Sequence, residues 1–159
     1  MNIEIIALVI SGFAFALSLA QFLGDNDRNK KEATLNAYYQ LQEDAFAKYN
    51  DLFKKFGLEK EEVNKFELKK EDPEWETMTG ILVKLEHFSV GINTGIYSLE
   101  VLNRLGGGYF IRVYDSLELV IKEHEVNGVS AGEHYNEFRK TREKLEELRK
   151  KKEKNQSVK

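Results

Sequence analysis

Residues 5–23, IIALVISGFAFALSLAQFL, are nineteen residues without a charge in a chain of 159 of which 32% is charged. Extended back to Ile3, the stretch would form a helix about 31 Å long at about 1.5 Å per residue, against a hydrocarbon core of about 30 Å. Twelve of those residues are Ile, Leu, Val or Phe. Each favours insertion near the bilayer centre by about 0.3–0.6 kcal/mol, which outweighs the costs of Ser11, Ser18 and Gln21. Two other readings compete. "SLA" before Gln21 resembles the small-residue site of a cleaved signal, but "MNIE" offers no basic leader and the apolar run exceeds the usual span of about 7–15 residues. A buried helix of a soluble protein is the third, and a segment apolar on every side argues against it. The stretch reads as a retained membrane span.

Its flanks orient it. Arg28, Lys30 and Lys31 follow the span and only the α-amino group precedes it, so the positive-inside rule puts the N-terminus outside and the remainder in the cytoplasm. Gly12, Ala16 and Ala20 recur every fourth residue. Small residues at that spacing let two helices approach closely in lipid, so this face is the expected interface of a homo-oligomer.

Beyond the span, one proline, no cysteine and abundant Leu, Glu, Lys and Ala favour helices and exclude disulfides, thiolate metal sites and a Cys nucleophile. The expected fold is all-α: one N-terminal transmembrane helix (residues 1–23), a polar joint (24–29), a cytosolic bundle of four to five helices (30–148) and a basic tail (149–159). Residues 139–159 carry ten basic against four acidic side chains, and residues 24–137 fourteen against twenty-two. An acidic body thus ends in a basic tail.

Within the body, apolar residues spaced by threes and fours predict a helix over residues 30–56, ended by Gly57. Residues 59–71 read as a charged linker. Asp72 and Pro73 read as N-cap and first residue of a helix whose apolar face is Trp75, Met78, Leu82, Leu85, Phe88 and Ile92. The glycines at 80, 91 and 95 predict either a closely crossing backbone or a break near Thr94. "SLEVLNRLGGG" predicts a short helix closed by glycines, followed by a helix through Phe110 and Ile121. "SAGE" at residues 130–133 is a capping box before a last helix with Tyr135, Phe138, Leu145 and Leu148.

Candidate chemistry is sparse. Gly106, Gly107 and Gly108, flanked by Arg104 and Arg112, could hold an anion at a helix N-terminus, although no Lys-Ser/Thr pair follows as in a phosphate-binding loop. A tight turn between helices competes with that reading. His87, His124 and His134 each adjoin a glutamate, and His134 with Glu137 could face a metal, but no third ligand is evident, so no metal and no cofactor are expected. Glu86 and Asn93 flank the apolar face of the central helix as candidates for a buried polar network.

The block "LVKLEHFSVGINTGIYSLEVLNRLGGGYFIRVYDSL" and the following "HYNEFRKTREKL" resemble an uncharacterised bacterial family, a domain of unknown function. Its marks are Leu85-Glu86, the Gly91-Ile92 and Gly95-Ile96 steps, Gly107-Gly108 and the Tyr135/Phe138 pair. The resemblance implies one N-terminal span before a small helical domain and no particular chemistry. By layout the chain is also similar to membrane accessory proteins of RNA-targeting CRISPR systems, which implies an anti-phage effector or a pore-forming accessory. HEPN-type nucleases place a His four to six residues after an Arg, and no Arg here has one. The expectation is therefore a membrane-anchored, self-associating interaction protein without enzymatic activity. Its partners are the lipid bilayer, a second copy and a protein partner, with nucleic acid disfavoured. A membrane-tethered, HEPN-like enzyme that processes nucleic acid is the alternative.

Overall fold

The computed structural model describes residues 3–57, 66–127 and 134–156, with the side chains of 3–14, 16, 126, 127 and 156 outside that description. Among the described residues every regular element is helical. α1 spans Ile3–Leu41 and passes through a π-helical turn, Gln42–Phe46, into α2, Ala47–Lys55; α3 is Trp75–Asn93, α4 is Leu99–Asn127 and α5 is Asn136–Gln156.

The polar residues 24–29, read as a joint, lie inside α1. A single glycine costs a helix only about 1 kcal/mol, and Asp27 pairs with Lys31 one turn on at 2.5 Å. From Phe15 to Asn29 every described side chain is exposed, and burial starts with Thr34, whose hydroxyl accepts the Ser98 amide at 2.7 Å. The described side chains of α1 from Phe15 to Asn29 therefore stand clear of the bundle. Among the described residues no helix is long and apolar enough to cross a membrane; the side chains of residues 5–14 and 16 of the expected span lie outside the described residues.

The π turn inserts an extra residue into the helical ladder, which brings both Ala45 and Phe46 into the core between Leu41 and Tyr49. α2 ends where expected, with Gly57 at φ +63° and its amide on the Lys54 carbonyl. Part of the charged linker falls outside the described residues, but its end is core. Phe66 and Leu68 are buried, the Phe66 amide donates to the Ser116 carbonyl at 2.9 Å, and its ring meets those of Tyr49, Phe53 and Phe56 edge-on.

α3 begins at Trp75, later than the Asp72 cap predicts. The Asp72 carboxylate instead accepts the Lys69 amide at 2.7 Å, and its carbonyl takes the Trp75 amide, so Asp72 shapes the turn before the helix. The predicted apolar face is buried from Met78 to Ile92, widened by Ile81 and Ser89, while Trp75 is half-buried. The helix breaks at Thr94, and Gly95 takes φ +81°. At Gly91 the close neighbour is the Tyr97 ring, which an added Cβ would overlap at 2.3 Å.

The triple glycine does interrupt the helix: α4 is two helical segments that meet at Gly106, whose backbone is not helical (φ −173°, ψ 30°). A Cβ at Gly106 would stand 1.9 Å from the Tyr38 hydroxyl. Tyr38 is itself buried and its ring cannot shorten. Gly106→Ala is therefore expected to cost about 1–3 kcal/mol through overpacking, with part regained in Gly106→Ala/Tyr38→Phe. Thermal melts of the three chains test it, and equal losses in the single and double variants would contradict the contact.

Direction follows from paired residues. Asp44 bonds Lys84, and Lys30 lies near Gly95, so α1 and α3 run oppositely. Glu86 meets Phe138 and Asn93 meets Lys144, so α5 runs parallel to α3. α4 returns antiparallel to α5, as its Asp115 bonds Arg142 and its Asn103 meets Arg149. The core lies where α5 crosses α3 and α4, around the rings of Phe88, Phe110, Tyr114 and Phe138.

Candidate functional site

Glu86 and Asn93 lie two turns apart on α3 and both act on α5. The Glu86 carboxylate accepts the Glu137 amide at 3.1 Å and the Phe138 amide at 2.8 Å. It thereby caps the start of α5 from a neighbouring helix, supplying acceptors to amides that have no intrahelical partner. The predicted capping box at residues 130–133 lies outside the described residues. Asn93 donates to the Glu137 carbonyl at 2.9 Å and to the buried Thr141 hydroxyl at 3.1 Å, while its own oxygen accepts from Lys144 at 2.7 Å. Glu86→Ala should cost about 1–3 kcal/mol, because two amides of a docked helix end lose their acceptor, and Glu86→Gln should cost less. Amide exchange at Glu137 and Phe138 reads this locally. Unchanged exchange in Glu86→Ala would refute the cap.

At the candidate anion site a helical segment starts after the kink at Gly106, but the flanking arginines are engaged elsewhere. Arg104 is engaged with Glu100 at 2.6 Å one turn back, and Arg112 lies 6.0 Å over the Tyr109 ring. Gly106 faces Tyr38, Gly107 faces Asn103 and Leu145, and Gly108 faces the Arg149 guanidinium. The glycines thus give close access to neighbouring side chains. Arg149, not singled out in the sequence, is the basic group nearest to them.

His124 and His134 lie near each other, both against the Tyr135 ring. His87 is exposed. His134 sits in the turn before α5, 6.2 Å from the Tyr135 ring, and Glu137 pairs with Lys140, whose ammonium lowers the Glu137 carboxyl below its ordinary range. Among the described residues no cluster of three or more metal-binding side chains occurs. His124 stacks on Trp75 at 4.2 Å and bonds Thr79 through Nε2 at 3.2 Å. Burial, and secondarily the nearby His134, lower its pKa below the ordinary 6.5. The unfolded chain then binds more protons than the folded one once pH falls through about 6.5, so stability declines from there down to the folded pKa. Emission of Trp75, the single tryptophan, should change with a midpoint below 6.5, and a midpoint at or above that value would contradict the burial.

A groove of about 320 Å³ lies between the end of α1 and α3, lined among others by Gln40, Asp44, Lys84, His87 and Tyr97. The π turn puts Asp44 here. Its carboxylate is shared by Lys48 at 2.8 Å and by Lys84, so its charge is neutralised within the wall. Sequence spacing missed this group, because a regular helix through residues 42–46 would have turned Asp44 elsewhere.

These features define an all-α bundle whose longest helix projects beyond it and whose polar residues chiefly fasten helices together. The chain belongs to the family described as a domain of unknown function, DUF4760, which matches residues 4–158. No curated protein and no solved structure matches it, so the layout similarity to CRISPR accessory proteins gains no support.

Proposed function

We propose that this chain is a single-pass membrane protein, held by the first half of α1, whose helical bundle on the cytoplasmic side is a non-enzymatic interaction module that self-associates. The observation that carries this reading is the apolar stretch of α1 from Phe15 to Leu23, whose described side chains stand free of the bundle. Phe15, Leu17, Leu19, Phe22 and Leu23 are exposed in succession, Phe15 at 71% and Phe22 at 69%, where a protein in water would leave a large uncovered apolar surface. Lipid is the cover that fits a helix uncharged on all sides over about 30 Å. The family match includes this stretch together with the bundle, which supports treating both as one functional unit. Self-association rests on the Gly12, Ala16 and Ala20 face.

The nucleic-acid enzyme is the weaker reading. Arg112 and His124 stand on one helix twelve residues apart, about 18 Å by rise, and the ring of His124 is packed against Trp75.

Alkaline extraction of membranes expressing the chain tests the anchor, which predicts retention in the pellet. Disulfide crosslinking of an introduced Gly12→Cys or Ala16→Cys, clean in a chain with no cysteine, tests self-association. Release by alkali would reject the anchor; a monomer unaffected by Gly12→Leu would reject the interface.

A further inference from the structure

We propose that the end of the bundle formed by the turn after α3 and the last turns of α5 is a seat on anionic lipid headgroups around the emerging α1. This rests on the anchored reading above and adds the surface and the partner.

Three elements reach the same level. Lys144 of α5 meets Asn93, the last residue of α3, and α5 continues in the direction of α3 to Gln156, about 18 Å further at about 1.5 Å per residue. α1 runs the opposite way through the chain but covers the same space. From Lys30, beside Gly95, it climbs back about 10 Å to Leu23, where the uncharged stretch begins. The final turns of α5 and the lower edge of that stretch therefore reach the same height at this end of the bundle, both beyond the turn at residues 94–98.

The chemistry of this end suits a membrane surface. Residues 149–154 carry five basic side chains against Glu153 alone and all are exposed. Arg149 lies against Gly108 with Nη1 3.5 Å from Asn103, which fixes the helix at this height, and among the described residues Lys150 pairs with a distant carboxylate, Glu146 at 3.9 Å. On α1 the neighbours are Arg28, Lys30 and Lys31 with Asp25 and Asp27, of which Asp27 is taken by Lys31. The turn between them, "TGIYS", has no charge, and its tip, Ile96, is 61% exposed. An exposed isoleucine between two basic helices matches the boundary where apolar side chains enter lipid and cations meet phosphates. A nucleic acid would find the same cations, but no use for Ile96 and an apolar helix in its way.

The full chain carrying Asn155→Cys, labelled with an environment-sensitive fluorophore, is reconstituted into nanodiscs of phosphatidylcholine alone or mixed with phosphatidylglycerol. Emission should shift to the blue in the anionic discs alone and revert as salt rises from about 0.15 M to about 1 M, where the Debye length falls from about 8 Å to about 3 Å. Each lysine near an anionic leaflet multiplies the seated state about five-fold. Lys150→Gln/Lys151→Gln/Lys152→Gln/Lys154→Gln should therefore lower the seated-to-free ratio at least ten-fold while thermal melts stay unchanged. Equal emission in both lipids would overturn the seat while leaving the anchor standing. A shift produced in phosphatidylcholine discs by added RNA would reassign the surface to nucleic acid and overturn it too. A chain that elutes apart from the discs would reject the anchor, and the seat with it.

Discussion

Arginine at both Phe13 and Leu17 is expected to move the protein from the membrane pellet to the supernatant without loosening the bundle. An arginine near the centre of a spanning helix costs about 2.5–3.5 kcal/mol for insertion, and each substitution also removes a favourable side chain, so the pair costs about 5–7 kcal/mol or more. That is a change of roughly four orders of magnitude or more in the inserted fraction. The bundle should not notice, because Leu17 is exposed and, among the described side chains of α1, burial begins only with Thr34. Two measurements separate the outcomes. Fractionation should show the loss of membrane association, and the cooperative melt of the bundle should remain. Retention in the pellet would deny that residues 5–23 are the anchor. Loss of the melt would place the stretch within the fold.

What was legible in the sequence was whatever local spacing alone decides. The apolar face of α3 and the Gly57 stop after α2 depend on neighbours one turn away and stand where local spacing puts them, and of the two readings of the α3 glycines the break near Thr94 is the one that occurs. Glu86 and Asn93 could be placed on the flank of that face, but their acceptor and donor roles required knowing that α5 lies alongside. The departures arise where a tertiary neighbour overrides a local signal. Three consecutive glycines read as a helix stop, and the helix does break at Gly106; what the sequence could not show is that the second segment follows at once and that the absent side chains admit Tyr38, Asn103 and Arg149. Phe66 and Leu68 sit in a charged, unpatterned stretch, and only a waiting cavity between α2 and α4 makes them core. The π turn has no sequence signature in threes and fours, and with it went the position of Asp44. The candidate site was legible only in part for the same reason, since its groove is defined by that irregular turn.

Phe138→Ala is the second large expected effect. The side chain is fully buried, with its ring 5.0 Å from Phe110 and 4.9 Å from Tyr114, both edge-on. Truncation removes the area term, two aromatic contacts and the filling of a site walled by three helices, a loss of about 3–5 kcal/mol. Domains of this size have about 5–15 kcal/mol in total, so the variant should lie close to its limit. The loss should also be local in origin, because Phe138 is the residue whose amide Glu86 caps. Packing and capping act at one point of α5, so Phe138→Ala and Glu86→Ala should combine non-additively: once the ring is gone, removing the cap costs less than it does alone. Chemical denaturation of the two single variants and the double variant measures this directly. A Phe138→Ala loss under about 1 kcal/mol, or strictly additive losses, would mean that α5 is not held to α3 at this point, and the basic turns beyond it would then have no fixed height.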